Sequence, residues 1–386
     1  MAVYWVSFLA SFLVCTILVL TKNKHIRLTG SSDETAAVQA SHVAPTPRIG
    51  GLAVMAGMTI GAAITFLQGQ KIFMTLLMTA LPMYLTGLAE DVIRHISTKL
   101  RYSATLLSAL IVVWAMEIWI TTADSFLLDW IFQFTPVAVL VTIFVVASYC
   151  HAFNLIDGLN GLASGTSLLI SVGLAAIATF TGQSEIVTMS MITAFSVTGF
   201  FLFNYPFGRI FLGDAGAYII GYMLTWTAIV TLHEAPETSA WAMLLLFFWP
   251  LADTLFAIYR RRRKGVSFDT ADRLHFHQLV LRGLEIFFLG RDKRTTANPL
   301  ATSVLLPFIA APVAAGVTFW NEPVLSFVAL CLFGGAFVGT YQLGLRAARA
   351  RVRRPRSRLL QNASPTQQSS DTTGPMLNNW RNRTNG

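Results

Sequence analysis

The chain has 386 residues, of which 54% are hydrophobic and 12% are charged, and its formal net charge is +9. A typical soluble domain carries about 25% charged residues. This composition therefore excludes an ordinary soluble enzyme and predicts a polytopic membrane protein, with membrane lipids as partners and no nucleic-acid partner. The three cysteines, Cys15, Cys150 and Cys331, show neither zinc-site spacing nor a disulfide framework.

Eleven apolar runs approach the length needed to span a bilayer, which is about 20 residues. They are residues 3–20, 50–67, 72–89, 103–121, 134–150, 162–181, 186–203, 215–232, 239–258, 299–319 and 323–345. The runs are continuous and do not alternate as barrel strands do, so the sequence predicts an all-α membrane protein. No basic segment precedes the first run, which favours a retained span over a cleaved signal peptide.

The basic residues fall almost entirely on one side of this predicted topology. That side comprises loops 21–49, 90–102, 151–161, 204–214 and 259–298, together with the tail from residue 346, and it holds 27 of the 28 lysines and arginines. The positive-inside rule makes this side cytoplasmic and places the N-terminus outside and the C-terminus in the cytoplasm. We therefore predict a transmembrane domain at 1–345 and a basic, then disordered, cytoplasmic tail at 346–386.

This orientation predicts where reporter proteins fused to the chain are located. A reporter fused after Ser125 is expected outside the membrane, and one fused after Asp269 in the cytoplasm, because the two positions are separated by five predicted spans. Enzymatic reporters that are active on only one side of the membrane measure this. Two fusions reporting the same side would show that the number of spans is wrong.

The most informative segment is NLIDGLNGLASG at residues 154–165, which lies between two apolar runs. Asp157 is its only charged residue, and no other lies between Asp129 and Glu185. A charged side chain at the bilayer centre costs about 2.5–3.5 kcal/mol even on insertion scales. Asp157 is therefore expected at a membrane face or in a wet cavity. The alternative is a polar turn between helices that carries no chemistry.

Four further polar clusters fall on the same predicted side of the membrane. They are the PTPRIGG segment at 45–51 with Arg48, the adjacent acids Glu90 and Asp91, the GDAG segment at 213–216 with Asp214, and residues 272–277 with Arg273, His275 and His277. Carboxylates and amides suit Mg²⁺, which proteins usually hold with one or two carboxylates and substrate phosphates. Arginine and histidine suit the phosphates themselves.

Each cluster also has a structural alternative. Arg48 can anchor the topology, the two acids can pair with Arg94 or Arg101, and Asp214 can cap a helix. The histidine spacing does not fit a zinc-binding helix, which places its histidines at i and i+4. Taken together, the clusters predict phosphoryl transfer at the inner membrane face, from a water-soluble nucleotide donor to a lipid acceptor. A transporter or flippase is the alternative class, and it predicts acids buried within the spans and inverted repeats.

The ordered set of motifs resembles the polyprenyl-phosphate N-acetylhexosamine-1-phosphate transferases of glycosyltransferase family 4. PRIGG, GLAEDV, NLIDGLNGLA, GDAGA and DRLHFHQ match the family motifs in order and spacing from about residue 45 to 283. The loop RRRRKGVSFDTADRLHFH is most similar to the N-acetylglucosaminyl branch. Four positions depart from the family pattern: Glu90 and Asn160 replace aspartates, Ala217 replaces a serine and Gln278 replaces a histidine.

The resemblance implies transfer of an N-acetylhexosamine 1-phosphate, most closely the N-acetylglucosamine form, from a UDP-sugar to undecaprenyl phosphate. UMP is released, and lipid-linked polysaccharide synthesis starts at the bacterial plasma membrane. The muramoyl-pentapeptide branch is the alternative. The resemblance also implies Mg²⁺, with Mn²⁺ as a substitute, and leaves a homodimer open. It implies catalytic roles for Asp91, Asp157, Asp214, His275 and His277, metal binding by the three aspartates, and substrate binding by Arg48, Glu90, Asn154, Asn160 and Arg273.

Overall fold

The computed structural model describes residues 1–29, 46–265 and 274–353, and the regular structure among them is helical. In chain order the helices are α1 (Ala2–Leu20), α2 (Lys22–Thr29), α3 (Gly50–Leu67), α4 (Ile72–Thr79), α5 (Leu81–Ile93), α6 (Thr98–Met116), α7 (Phe126–Phe132), α8 (Thr135–Ile156), α9 (Leu162–Phe180), α10 (Ser184–Asn204), α11 (Gly213–Glu234), α12 (Ala240–Leu246), α13 (Phe248–Lys264), α14 (Phe276–Leu284), α15 (Arg294–Thr318) and α16 (Pro323–Arg353). A π-helical turn at Glu285–Leu289 and a 3₁₀ turn at Arg291–Lys293 lie between α14 and α15. The chain divides into two units, Met1–Gly344 and Leu345–Gly386, and the site residues belong to the first.

Each of the eleven predicted apolar runs coincides with a helix or with a bent pair of helices. Within the described residues, nine single helices are long and apolar enough to cross a bilayer. The bent pairs α4–α5 and α12–α13 bring the number to eleven if each pair counts as one span. The predicted all-α membrane class is therefore confirmed, and the orientation stays a prediction.

Two spans that the sequence predicts as continuous runs are bent. The axes of α4 and α5 differ by 49° and those of α12 and α13 by 82°. Pro82 and Pro250 lie just after the two breaks. A proline removes one helical hydrogen bond, and its ring clashes with the carbonyl four residues earlier. Each preceding helix accordingly ends within one residue of that carbonyl, at Thr79 and Leu246.

Helix α11 is the centre of the bundle. Every residue from Gly213 to Thr231 is buried, and the helix packs against α3, α5 and α8. Its first turn is as enclosed as its middle, so polar groups there need partners within the protein.

Two helix ends differ from the predicted boundaries in a way that shapes the site. Helix α6 begins at Thr98 rather than at residue 103, because Ser97 caps it by accepting the N–H of Leu100 at 3.2 Å. Helix α8 continues to Ile156 rather than ending at residue 150. Arg101 therefore lies in the first turn of α6 and Asn154 in the last turn of α8, and both side chains contact Asp214.

Candidate active site

Asp214, at the start of α11, is the centre of the polar cluster. It is 3% exposed. Its Oδ1 accepts a hydrogen bond from Asn154 Nδ2 at 3.0 Å and lies 3.4 Å from Arg48 Nη2. Its Oδ2 accepts from Tyr218 OH at 3.2 Å and forms an ion pair with Arg101 Nη1. Groups from the loop before α3, from α6, from α8 and from α11 thus converge on one carboxylate.

Asp91 holds the first turn of α11 in place. Its Oδ1 accepts the N–H of Asp214 at 2.8 Å, and its Oδ2 accepts the N–H of Ala215 at 3.0 Å. The first turn of a helix leaves such donors without a partner within the helix and favours a negative charge beside it. Gly213 precedes them with φ +76°, a left-handed conformation that favours glycine. The metal-binding role that the resemblance implies for Asp91 stays a prediction; in the structure each of its oxygens accepts one backbone N–H.

Glu90, the neighbour of Asp91, is directed elsewhere. Its Oε2 accepts the N–H of Ile96 at 2.8 Å, in the segment that follows α5. Adjacent residues on a helix point about 100° apart, so the two acids accept hydrogen bonds from different segments. The substrate-binding role implied for Glu90 stays a prediction, and the contact observed here is structural.

The loop before α3 pairs with the loop before α11. Phe211 N–H donates to Pro47 O at 2.8 Å, and Gly50 N–H donates to Phe211 O at 2.9 Å. This pairing explains why Arg48, which is distant in sequence, reaches Asp214.

Asp157, directly after α8, interacts electrostatically with the same cluster. Burial raises the pKa of the Asp157 carboxyl well above its ordinary value; the Arg48 guanidinium opposes this, and the carboxylates of Asp214 and Asp91 raise the pKa further. Asp157 is therefore within electrostatic range of Arg48, Asp214 and Asp91.

Asn160 ties the turn after α8 to two other segments. Its Nδ2 donates to Pro206 O at 2.9 Å, and its backbone N–H donates to Asn298 Oδ1 at 2.8 Å. Its carbonyl accepts the hydroxyl of Thr302 at 2.7 Å. The substrate-binding role that the resemblance implies for Asn160 stays a prediction; the hydrogen bond of its side-chain nitrogen is structural, and an aspartate could not donate it.

We expect Asn160→Asp to destabilise the protein rather than to improve it. The carboxylate would face the carbonyl of Pro206 without a proton to donate, and an unmade buried hydrogen bond costs about 1–3 kcal/mol. The melting temperature of the detergent-purified protein should fall. Asn23→Asp, the same change at an exposed position, is the control, and equal melting of the two variants would contradict the assignment.

Asp253 on α13 anchors the two predicted histidines. Its Oδ2 lies 2.9 Å from His275 Nδ1 and 3.7 Å from His277 Nδ1, and its Oδ1 accepts the N–H of Phe276 at 2.9 Å. Asp253 and both histidines are buried. On its other side His277 lies against Gly158, where an added Cβ would be 2.5 Å from His277 Nε2. The histidine pair is thereby joined to the turn that carries Asp157.

Asp253→Asn should lower kcat/KM about tenfold or more, because a hydrogen bond to a charged group contributes about 1.5–3 kcal/mol. The substitution removes the negative charge and so weakens the hydrogen bond to His275, while the side chain keeps its size. UMP release at subsaturating nucleotide sugar measures the effect. Asp292→Asn, on an exposed residue, should behave as wild type. An unchanged kcat/KM in Asp253→Asn would show that the histidines need no anchor.

Helix α16 contacts the segment that carries the two histidines. Tyr341 OH donates to Leu274 O at 3.0 Å, directly before His275, and Arg260 Nη1 donates to Tyr341 OH at 3.0 Å. The implied phosphate ligand Arg273 lies outside the described residues, and its role stays a prediction.

The sequence did not identify Arg101 and Asp253 as site residues. The sequence suggests Arg101 only as a partner of the acids at 90 and 91, whereas the structure shows an ion pair with Asp214. Asp253 carried a usable signal, because an ionisable residue inside an apolar run is by default a functional candidate. Tyr341 carried no such signal.

A divalent cation fits this donor set. In the part of the chain that the structure describes, no three His, Cys, Asp or Glu side chains are grouped to hold a metal by themselves. Mg²⁺ is usually held by one or two carboxylates, with substrate phosphates and water supplying the other ligands. The carboxylates of Asp214 and Asp157 and the amide oxygen of Asn154 are suitable ligands, and phosphates would complete the shell.

Comparisons with known proteins find one enzyme family to which the chain is similar. The model of glycosyl transferase family 4 matches residues 73–232, which include Asp91, Arg101, Asn154, Asp157 and Asp214. The chain is 24% identical over 358 residues to the undecaprenyl-phosphate alpha-N-acetylglucosaminyl 1-phosphate transferase of Escherichia coli strain K12, covering 89% of this chain and 94% of that protein. Proteins of the same name from Salmonella typhi (25% identity, 89% and 94% covered) and Yersinia pestis (26%, 76% and 80%) are also similar. Over residues 73–232, the chain is therefore similar to glycosyl transferase family 4.

Proposed function

We propose that this protein transfers N-acetylglucosamine 1-phosphate from UDP-N-acetylglucosamine to undecaprenyl phosphate at the cytoplasmic face of the bacterial inner membrane. The observation that carries the proposal is the convergence of Arg48, Arg101 and Asn154 on Asp214, beside Asp157. Similarity to the relatives named above supports the choice of sugar and lipid.

The bond changes define what the site must do. An oxygen of the lipid phosphate attacks the sugar-bearing phosphorus of the UDP-sugar. The bond from that phosphorus to the bridging oxygen breaks, and the oxygen leaves with UMP. A phosphate monoester has a second pKa near 6, so at neutral pH the acceptor is mostly dianionic already. A general base therefore adds little, and the main barrier is the approach of two anions.

The residues of the site suit this task. Arg48 and Arg101 supply positive charge for the phosphates, and Asp214, Asp157 and Asn154 would hold Mg²⁺. When bound, such an ion neutralises charge on the pyrophosphate and orients it. Asp91 keeps the Asp214 backbone in position, and His275 and His277, held by Asp253, provide a second set of phosphate-binding groups.

A substrate panel tests the proposal. Membranes containing the protein are incubated with undecaprenyl phosphate, Mg²⁺ and different UDP-sugars, and UMP release is measured with and without EDTA. We expect release with UDP-N-acetylglucosamine and loss of activity with EDTA. Membranes carrying Asp214→Asn are the matched control.

Other outcomes separate the alternatives. Release only with UDP-muramoyl-pentapeptide would assign the chain to that branch. Lipid movement across vesicles without UMP release from any sugar would favour the transporter class. Activity that survives EDTA would remove the metal from the proposal.

A further inference from the structure

Two adjacent phenylalanines lie exposed in the turn that follows α14. Phe287 is 38% exposed and Phe288 is 80% exposed, and both belong to the π-helical turn at Glu285–Leu289. An aromatic side chain left in water forgoes a large gain from burial. The turn lies outside the predicted spans, so the apolar runs of the sequence do not account for this surface.

The turn is held beside the start of α15. The Oε1 atom of the buried Glu285 lies 3.6 Å from Nε of Arg294, the first residue of α15. Gly290 N–H donates to Glu285 O at 2.9 Å and closes the turn. Helix α15 is long and apolar enough to cross a bilayer. A charged residue at the start of such a helix is typical of the headgroup region, so the turn lies at that level.

The lipid-facing side of α15 begins close to this turn. Leu300, Val304 and Phe308 are exposed and follow one another at intervals of four residues, which places them on one side of the helix. Leu300 comes six residues after Arg294, which is about 9 Å along the helix. Lipid hydrocarbon is therefore available within a short distance of the ion pair that holds the turn.

The opposite side of α14 is occupied by protein. His277 and Leu281, one turn apart, are buried, and α14 packs against α15. Rotating α14 to cover the two phenylalanines would expose these buried side chains. The segment 285–294 holds three basic and two acidic residues, and Lys293 is exposed. Its net positive charge is complementary to anionic lipid headgroups.

We propose that Phe287 and Phe288 insert into the leaflet on the side of the site, while the basic residues of segment 285–294 contact anionic headgroups. The segment is then a membrane anchor made by a turn rather than by a span. Because α14 carries His277 and leads directly into the turn, the anchor fixes the height of the histidine pair relative to the membrane surface. The anchor is independent of the proposed function, since it involves neither metal nor substrate.

Spin-label accessibility tests the anchor in the full-length protein, placed in nanodiscs of phosphatidylcholine and phosphatidylglycerol. Cys331→Ser provides the background, because Cys331 is exposed whereas Cys15 and Cys150 are buried. Nitroxide labels are attached in turn to Phe287→Cys and Phe288→Cys. Their collisions with oxygen, which dissolves in lipid, are compared with those with a water-soluble nickel chelate. We expect both labels about 5–10 Å inside the boundary between headgroups and acyl chains.

Two reference labels calibrate this depth. Phe308→Cys lies on the exposed side of α15 and should be reached by oxygen and not by the chelate. Asp292→Cys is exposed in the connection between the turn and α15, and the chelate should reach it readily. Because Asp292 is close to Phe288 in the chain, the pair distinguishes insertion from proximity to the membrane.

Hydrogen exchange measures what the anchor does for α14. In the double variant Phe287→Ser/Phe288→Ser, exchange of the α14 amides should rise about tenfold, because the helix loses one of its attachments. Exchange within α11 should stay unchanged, which establishes that the variant is folded. Phe308→Ser makes the same change on the exposed side of α15 and should leave α14 as in the wild type.

The outcomes separate the possible partners of this surface. Labels at Phe287 and Phe288 that the chelate reaches as freely as Asp292 would show that the turn lies in water. Labels screened from both oxygen and chelate would show that protein covers it, either another segment of the chain or a second copy. Either result overturns the anchor, as does unchanged α14 exchange in the double variant. UMP release decides the proposed function separately.

Discussion

Asp214→Asn is expected to lower turnover by about 10³-fold or more, equivalent to roughly 4 kcal/mol of transition-state stabilisation. The asparagine keeps the shape of the side chain but loses the charge that a metal needs. It also places an NH₂ group among the donors that now surround the carboxylate. No other described residue combines burial at the start of α11 with contacts to both arginines.

UMP release at saturating Mg²⁺ and both substrates measures the Asp214 effect. Asp292→Asn, on an exposed residue, controls for the chemical change itself. Near-normal turnover of Asp214→Asn at saturating Mg²⁺ would remove Asp214 from the metal site. The melting temperature should be recorded beside the rate, so that loss of folded protein is not counted as loss of catalysis.

Asp91→Asn is expected to lower turnover about 10²-fold at every pH, since small misplacements of catalytic groups have effects of this size. An amide has one acceptor oxygen, whereas Asp91 accepts two backbone N–H groups of α11. The new NH₂ group would face one of these backbone N–H groups, and the first turn of α11, which carries Asp214, would shift. The defect is therefore one of position, which does not depend on the ionisation of the acceptor.

A pH–rate series from about 5.5 to 8.5 separates this from general-base catalysis. If Asp91 removed the proton of the lipid phosphate, the defect should close as the pH rises through the pKa near 6 of that phosphate. A positioning role predicts a constant deficit. Glu90→Gln is the matched neighbour, and we expect it to lose only a few-fold because Glu90 accepts one N–H of a connecting segment. A deficit in Asp91→Asn that closes above pH 7 would contradict the positioning role.

The membrane architecture was readable from sequence because it depends on local properties. A span needs a continuous apolar run, and each such run in this chain forms a helix or a bent pair of helices. The bends illustrate the limit of such local interpretation. Pro82 and Pro250 lie at breaks, yet α15 contains three prolines and remains one helix. Packing decides which prolines bend a span.

The sequence by itself determined the all-helical membrane class, the positions of the apolar runs, and the motifs that carry acids, amides and histidines. Only the tertiary structure decided which groups meet. Arg101 and Asp214 are 113 residues apart, and Asp253 and His275 are 22 residues apart. Such contacts depend on how buried helices pack, and neither hydropathy nor motif spacing records that. The same packing separates Asp91, which is bound to the backbone of α11, from Glu90 beside it, although the two acids are chemically alike.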